Sequence, residues 1–261
     1  MKRLIYQVCV GNPPPFYETC TNSVKRYCER LGFEYYKQTD PIIKLRPVNS
    51  HRSEMAVERY GYLPHFEKAN AFNTYFTNSF DQIAIIDADI YIKDNAPNIF
   101  EDVREDTVVA AVKECNMPLT SQLVGKIKEY SYGQYGMLPE MKKLDGPKGI
   151  PFFNTGVLVF NIENLVPYLN GNTPEEFVKR PEFEKFVNGE GKWKWAADQT
   201  PLNWWFVKEN MNAQDLDWKW NALYKGIHDK NLAEAYTIHF FLATKLLKEG
   251  VDINELIKKL K

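Results

Sequence analysis

Apolar and polar positions along the first 40 residues predict a strand, a helix and a second strand. Residues 3–10 form an apolar run that ends in the turn-rich sequence GNPPP, which is typical of a buried strand. Residues 16–31 carry apolar side chains at three- and four-residue steps, as an amphipathic helix does, and Gly32 suits its C-terminus. Residues 33–40 predict the second strand. This β-α-β order favours an α/β fold with a parallel sheet and crossover helices.

The rest of the chain continues the alternation of predicted strands and helices. Helices are predicted at 50–62, 64–79, 174–190 and 198–210, and strands at 82–92, 107–114, 152–162 and 236–241. Residues 116–150 are polar and rich in Gly, Tyr and Pro, so we expect an insertion or a flexible lid there. The tail 246–261 predicts an amphipathic C-terminal helix. Because the sequence contains no repeat and no linker, we expect a single domain over residues 1–261.

Composition narrows the class of protein. A length of 261 residues suits one α/β enzyme domain, and a net charge of -1 gives no overall field that would attract nucleic acid. The N-terminal apolar run is too short for a signal peptide, and no segment approaches the roughly 20 apolar residues of a membrane span. The four cysteines lack metal-site spacing, which indicates free thiols. We therefore expect a soluble, cytoplasmic protein without a nucleic-acid partner.

Two aspartates stand in an unusual place, inside the strand-like run IAIIDADIYI at residues 83–92. Strands disfavour Asp, and an unpaired buried charge is costly, so something must compensate for Asp87 and Asp89. At the carboxyl end of a central strand, the two carboxylates would lie where open α/β sheets bind ligands. There they would hold a divalent cation that bridges the phosphates of a ligand. A turn with two solvated aspartates is the alternative, and Asp94-Asn95 just downstream is consistent with it.

Two later segments carry further candidates. Asn154, Thr155 and Gly156 begin the strand FFNTGVLVFN, where a glycine allows close approach of a ligand or another backbone. An ordinary strand entry is the alternative there. Asp198 and Gln199 stand near a predicted helix start, beside several tryptophans that suit a sugar ring or the core. The alternative for Asp198 is an ordinary helix-capping role.

His239 and Lys245 are the last candidates. A histidine can complete a metal site alongside carboxylates, and a lysine can place a positive charge on a phosphate. The alternatives are a histidine satisfied within the core and a lysine on the surface.

The order of these motifs is more specific than any one of them. The chain reads IIDADIYI, FFNTGVLVFN, ADQTPLN, LDWKWN and IHFFLATK in that order. This series resembles the glycosyltransferases of the GT-A fold, and most closely glycosyltransferase family 8. The resemblance covers residues 3–12 and 64–245. It implies a GT-A, Rossmann-like fold with a mostly parallel central sheet flanked by helices.

The resemblance also implies an activity. A glycosyltransferase of this family moves a hexose from a nucleotide-diphosphate sugar to an acceptor hydroxyl and retains the anomeric configuration. The implied donor is UDP-glucose or UDP-galactose, and the implied cofactor is Mn²⁺, or Mg²⁺. The acceptor would be a glycan, a lipid-linked sugar or a protein side chain.

Residue by residue, the resemblance assigns three groups of roles. The metal ligands would be Asp87, Asp89 and His239. The residues beside the reacting sugar, assigned as catalytic, would be Asp198 and Gln199. The residues that bind the nucleotide sugar would be Val10, Gly11, Asn12, Asp40, Lys68, Ala88, Asn154, Thr155, Gly156 and Lys245. One departure concerns the family motif H-x-x-G-x-x-K, since Leu242 stands in place of its glycine. We therefore expect the loop before Lys245 to follow another path.

Two other classes of protein remain open from the sequence. Haloacid-dehalogenase-type phosphatases also place D-x-D after an apolar strand, which would make Asp87 a nucleophile. Their motif sits on the first strand and continues to Thr or Val, whereas here it lies inside the chain and Tyr91 follows. The other class is a catalytically silent protein of the same fold that binds nucleotide or glycan. Phosphomonoester hydrolysis would identify the first class, and binding without turnover the second.

Overall fold

The computed structural model describes residues 1–47, 60–241 and 243–260. The strands in these ranges are β1 (Arg3–Val8), β2 (Glu34–Gln38), β3 (Gln82–Ile86), β4 (Ile90–Ile92), β5 (Val109–Lys113), β6 (Phe153–Asn161), β7 (Ala213–Asp215), β8 (Ala222–Leu223) and β9 (Thr237–His239). The α-helices are α1 (Phe16–Leu31), α2 (Thr74–Ser79), α3 (Ser121–Tyr135), α4 (Pro139–Lys142), α5 (Ile162–Leu169), α6 (Pro174–Val178), α7 (Glu184–Val187), α8 (Gln199–Lys208), α9 (Ala243–Lys248) and α10 (Ile253–Leu260). Short 3-10 segments connect several of these elements.

The strands form a larger and a smaller sheet. The larger sheet has six strands in the order β2-β1-β3-β6-β5-β7, and the smaller has the order β4-β9-β8. In the larger sheet, β1 is parallel to β2 and β3, and β5 is parallel to β7. Only β6 runs against its neighbours, β3 and β5. The mostly parallel α/β sheet that we expected is therefore confirmed, with one reversed strand at its centre.

The core lies on both faces of the larger sheet because successive side chains of a strand point to opposite faces. Ile83 and Ile85 of β3 belong to one apolar cluster, and Ala84 and Ile86 belong to the other. Strand β6 divides its side chains in the same way. All nine residues of β6 are buried, as continuous apolar central strands of α/β proteins are.

The prediction of a single strand over 82–92 is wrong, because this segment forms two strands. The chain leaves the larger sheet after Ile86 and joins the smaller sheet at Ile90. Residues 87–89 form a turn, in which the Ile90 N–H donates to the Asp87 carbonyl at 3.1 Å. The apolar run therefore consists of two short strands in different sheets, and the two aspartates occupy the turn between them.

Several predicted helices are shorter or divided. The segment 64–79 consists of a 3-10 helix, Pro64–Phe72, followed by α2, which begins where the Asn73 side chain accepts a hydrogen bond from the Tyr75 N–H. The segment 174–190 is divided into α6, a 3-10 turn that begins at Pro181, and α7. A proline lacks the N–H that a continuous helix needs. Most of the helix predicted over 50–62 lies outside the described residues.

The helices α1 and α10 pack together on the sheet. Gly32 ends α1 in the left-handed conformation at φ 73°, which a glycine adopts without strain. The C-terminal segment forms two helices rather than one, and Gly250 between them has φ +76°. Ile253 and Ile257 of α10 are buried, and Thr19 of α1 donates to Asn254 at 2.6 Å. Among the described helices, none has the length and apolar composition needed to cross a membrane.

Candidate active site

Three strands bring the candidate residues together at the carboxyl end of β3. The turn after β3 carries Asp87 and Asp89. Since β6 is antiparallel to β3, the beginning of β6 lies beside this turn, and the Asp87 N–H donates to the Gly156 carbonyl at 2.8 Å. Strand β9 pairs with β4 directly after the turn and places His239 opposite Ile90. Residues far apart in the chain thus meet at one sheet edge.

Asp87, Asp89 and His239 form a candidate metal site. One ligand atom from each of the three side chains lies within 4.8 Å of the others. His239 Nε2 is 3.4 Å from Asp89 Oδ1 and 4.0 Å from Asp87 Oδ2. Two carboxylates and an imidazole are ligands that divalent transition metals accept. The donor set of this chain therefore fits the divalent cation that the D-x-D pattern predicts.

The other ring nitrogen of His239, Nδ1, has a hydrogen-bond partner of its own. His239 Nδ1 lies 2.9 Å from Asn221 Oδ1, and the Asn221 side-chain amide donates to Asn154 Oδ1 at 2.8 Å. An Nδ1–H that donates to Asn221 leaves Nε2 as the atom directed at the two carboxylates. Metal-binding histidines are commonly oriented by such a partner on the other ring nitrogen. Asn221 belongs to LDWKWN, a motif whose position in the sequence did not reveal this role.

The three groups of the candidate metal site shift one another's pKa values. Burial raises the pKa of Asp87, and the charge of Asp89 adds to the rise while Lys68 opposes it. Burial also acts to raise the pKa of Asp89, but the charge and hydrogen bond of His239 outweigh it and lower that pKa. Burial would lower the pKa of His239, but Asp89 and Asp87 raise it. A positive charge between the two carboxylates is therefore favoured, and a divalent cation supplies one.

Lys68 joins the metal site to Asp198. Its ammonium lies 2.6 Å from Asp87 Oδ1 and 3.0 Å from Asp198 Oδ2, and it donates to the Thr155 carbonyl at 3.1 Å. Burial would lower the pKa of Lys68, but Asp198 and Asp87 raise it above its ordinary value. Asp198 directly precedes α8 and makes no capping hydrogen bond. Its carboxylate binds Lys68 instead, so the helix-capping alternative is wrong.

A buried carboxylate that the sequence did not single out, Glu114, orients the amides around the site. Glu114 directly follows β5, and its Oε1 accepts a hydrogen bond from the Asn154 side-chain amide at 2.7 Å. The Gln199 side chain lies within reach of Glu114 and acts to lower the pKa of its carboxyl, and Gln199 Oε1 accepts from the Thr155 N–H at 3.2 Å. Burial raises the pKa of Glu114. An acidic residue at the end of the apolar run VVAAVKE was the available sequence signal, and it resembles the signal of the D-x-D.

Two clefts open on either side of the aspartate turn. The first cleft, of about 750 Å³, is lined by Val8, Cys9, Val10, Pro13, Pro14, Tyr17, Tyr60, Pro64, His65, Lys68, Asp87, Ala88 and Asp89. Of the predicted nucleotide-sugar residues, Val10, Lys68 and Ala88 thus lie in this cleft. Gly11, Asn12 and Asp40 are exposed and are not among its lining residues. The ring of Tyr60 lies against one side of Gly11, since a Cβ built there would lie 2.8 Å from Tyr60 Cε1.

The second cleft, of about 1170 Å³, contains most of the remaining candidates. It is lined by Asp87, Asp89, Glu114, Leu123, Lys126, Ile127, Tyr130, Asn154, Thr155, Gly156, Ala197, Asp198, Gln199, Leu223, His239 and Phe241. One wall is helix α3, within the segment that we expected to be an insertion or lid. The structure does not bring Lys245 to either cleft. Its side chain is 67% exposed and lies 3.8 Å from Glu249, and Leu242 before it lies outside the described residues.

The sheet order and the aspartate turn at its edge agree with the GT-A fold that the sequence motifs implied. The sequence model of the family described as "Glycosyl transferase family 8" matches residues 16–246 of this chain. The chain therefore belongs to glycosyl transferase family 8. A comparison with curated proteins finds no match to the chain.

Solved structures of glycosyltransferases resemble the chain at low sequence identity. The bifunctional glycosyltransferase WbbM is 14% identical over 92% of this chain and 46% of its own, with a TM-score of 0.51. A glycosyltransferase involved in the glycosylation of the major capsid of PBCV-1 is 13% identical over 92% of this chain and 94% of its own, with a TM-score of 0.47. The galactosyltransferase LgtC, in complex with donor and acceptor sugar analogs, is 12% identical over 91% of this chain and 87% of its own, with a TM-score of 0.46. The likeness to WbbM concerns less than half of that protein and shows the fold alone.

Proposed function

We propose that this protein transfers a hexose from UDP-glucose or UDP-galactose to an acceptor hydroxyl, with a divalent metal, and retains the anomeric configuration. The observation that carries the proposal is the convergence of Asp87, Asp89 and His239 between two clefts, with Lys68 and Asp198 directly beside them. One cleft suits the nucleoside, and the other suits the sugar with its acceptor. The donor set favours Mn²⁺ over Mg²⁺, because Mg²⁺ strongly prefers oxygen ligands.

The first cleft has the composition of a nucleoside site. Tyr17 and Tyr60 supply aromatic rings on which a base stacks. Pro13 and Pro14 stiffen the loop between β1 and α1. The diphosphate would lie between this cleft and the aspartate turn. A divalent cation held by the turn and His239 would neutralise the charge that develops on the departing diphosphate.

The second cleft has the groups that a reacting sugar needs. Asp198 faces the cleft beside Lys68, and its carboxylate can stabilise positive charge at the sugar ring and accept hydrogen bonds from the sugar hydroxyls. Gln199 Oε1 is occupied by the Thr155 N–H. This contact supports an orienting role for Gln199 and attack by the acceptor on the side of the leaving group, rather than a covalent intermediate on Gln199. Membership of the family opposes the phosphatase alternative with Asp87 as nucleophile.

The proposal is tested by nucleotide release from a panel of nucleotide sugars without added acceptor. We expect UDP release from one UDP-hexose in Mn²⁺ and none after chelation, because water replaces the acceptor in slow hydrolysis. Asp89→Asn should abolish release while the protein stays folded. Asp94→Asn is the matched control, since Asp94 is exposed and pairs only loosely with Arg26 at 3.6 Å. Unchanged release by folded Asp89→Asn would refute the metal assignment.

Binding provides a second readout that needs no turnover. Cys9 lines the first cleft, whereas Cys115 is partly buried and does not line it. Burial raises the pKa of both thiols, so both react slowly with iodoacetamide. UDP with Mn²⁺ should protect Cys9 and leave Cys115 unchanged. Protection without release from any donor would favour the silent binding protein, and release of phosphate from simple phosphomonoesters would favour the phosphatase.

A further inference from the structure

One face of helix α3 lines the second cleft and extends away from the proposed sugar site. The four cleft residues of α3 are Leu123, Lys126, Ile127 and Tyr130. Their spacing of three and four residues places them on one face of the helix. The Tyr130 hydroxyl lies within reach of the Gln199 and Thr200 side chains, so this end of the face lies beside the proposed sugar site. Lys126 lies one helical turn further from that site, about 5–6 Å along the axis.

Lys126 stands out because the chain provides no partner for its charge. Within residues 1–47, 60–241 and 243–260, its ammonium makes no ion pair and no hydrogen bond. The neighbouring Lys128, which lies outside the cleft, donates to the Pro147 carbonyl at 3.1 Å. Among the described residues that line the second cleft, Lys126 is also the one lysine or arginine.

The acidic groups of the second cleft are already satisfied by other residues. Asp89 faces His239, and Asp87 and Asp198 are bound by Lys68. The carboxylate of Glu114 accepts a hydrogen bond from the Asn154 side-chain amide at 2.7 Å. Lys126 is therefore not needed to neutralise these groups. Its position on an otherwise apolar and aromatic face indicates a role toward a molecule that enters the cleft.

We propose that Lys126 binds an anionic group of the acceptor, a carboxylate or a phosphate, and so selects a charged acceptor over a neutral one. The inference rests on the proposed transferase function, because it assigns the outer part of the second cleft to the acceptor. Leu123, Ile127 and Tyr130 provide the apolar surface against which a sugar ring packs. The long side chain of Lys126 reaches past this surface and holds the anionic group as a point charge. Lys126 is a specificity residue and takes no part in the transfer itself.

The test compares acceptors that differ in charge. The neutral probe is p-nitrophenyl β-D-glucoside, the carboxylate probe is p-nitrophenyl β-D-glucuronide, and the phosphate probe is glucose 6-phosphate measured against glucose. Their affinities for the protein loaded with UDP and Mn²⁺ are measured by calorimetry, together with the rates of transfer. We expect the wild-type protein to bind at least one anionic probe roughly tenfold more tightly than its neutral partner, as one charged hydrogen bond allows.

The variants separate charge from structure. Lys126→Gln should remove the preference for the anionic probe and leave neutral-probe affinity and donor hydrolysis unchanged. Lys126→Arg should keep the preference, and Lys128→Gln should behave as wild type. Preference in only one of the two anionic pairs would identify carboxylate or phosphate as the recognised group.

Two results would overturn the proposal, and they differ from failure of the proposed function. Equal affinity for anionic and neutral probes in the wild-type protein, with donor hydrolysis intact, would overturn the acceptor role alone. A preference that survives in Lys126→Gln would do the same. Absence of both donor hydrolysis and UDP binding would overturn the transferase function, and the acceptor role with it.

Discussion

The imidazole ring of His239 packs directly against the backbone of Gly156, and no side chain fits between these residues. A Cβ built on Gly156 would lie 2.5 Å from His239 Cε1 and 2.7 Å from His239 Nδ1. The glycine of the N-T-G sequence is therefore required by the position of a proposed metal ligand that follows it by 83 residues in the chain (239 − 156 = 83).

This contact predicts the effect of Gly156→Ala. The new methyl group should displace the imidazole and weaken metal binding about tenfold or more, a loss typical of disturbed support around metal ligands. A Mn²⁺ titration of the purified variant measures this. Gly133→Ala in α3 is the matched control, because nothing lies within 4 Å of a Cβ at that position. Unchanged metal affinity in Gly156→Ala would mean that the ring has room to move.

Lys68→Met should be strongly destabilising. It leaves the carboxylates of Asp87 and Asp198 without their common cation, and breaking a buried ion pair costs about 3–5 kcal/mol. Unfolding in urea measures the loss, which Mn²⁺ should reduce because the cation compensates Asp87. The surface pair of Lys179 and Glu175 provides the comparison, and Lys179→Met should cost less than about 1 kcal/mol. Equal losses of unfolding free energy in the two variants would contradict the role of Lys68 as the common cation of Asp87 and Asp198.

Glu114→Gln should lower activity and raise stability at neutral pH. Burial raises the pKa of Glu114 above its ordinary value of 4.5, so the folded protein holds this proton more tightly than the unfolded chain does. The contribution of Glu114 to stability is therefore greatest at low pH and is lost as the pH rises from 4.5 through the raised pKa. A glutamine does not titrate, so the stability of the variant relative to wild type should increase over that pH range.

The catalytic activity of Glu114→Gln should fall, although its stability should rise. Glutamine offers one acceptor oxygen where Glu114 offers two, so it cannot orient both Asn154 and Gln199 as the carboxylate does. We expect roughly a tenfold loss in kcat, because the misplaced amides no longer orient the sugar. Glu163→Gln, an exposed substitution in the first turn of α5, is the control for both measurements. Full activity in Glu114→Gln would show that the Glu114 carboxylate is not needed to orient the amides of the site.

His239→Ala and Lys245→Ala should differ sharply in metal binding. His239 is buried beside the two aspartates, so its removal should weaken Mn²⁺ binding about tenfold or more. Lys245 is exposed beside Glu249, so its removal should leave metal affinity unchanged. The reverse order in a metal titration would contradict the placement of both residues.

Local sequence patterns were sufficient where a segment depends mainly on its own residues. The boundaries of α1 were predicted residue for residue, because its apolar spacing and Gly32 are local signals. The predictions of β1 and β6 were close to the observed strands for the same reason. The D-x-D position was also predicted, since two acidic residues after an apolar run demand compensation wherever the chain folds.

Local patterns failed where partners come from distant segments. The run at 82–92 has strand composition throughout, and the break at Asp87 arises because β9 pairs with β4 in a second sheet. The reversal of β6 follows from its insertion between β3 and β5 rather than from its composition.

The amino-acid sequence by itself determined the α/β class, the family and the position of the two aspartates at the end of an apolar strand, because these depend on periodicity and on the order of motifs. Only the tertiary structure decided how the charges are balanced. Lys68 compensates Asp87 and Asp198, and Glu114 orients Asn154 and Gln199, although the paired residues lie as far as 130 residues apart in the chain. Such pairs form because a buried charge must find its partner in space, and the sheet brings together residues that no local pattern relates.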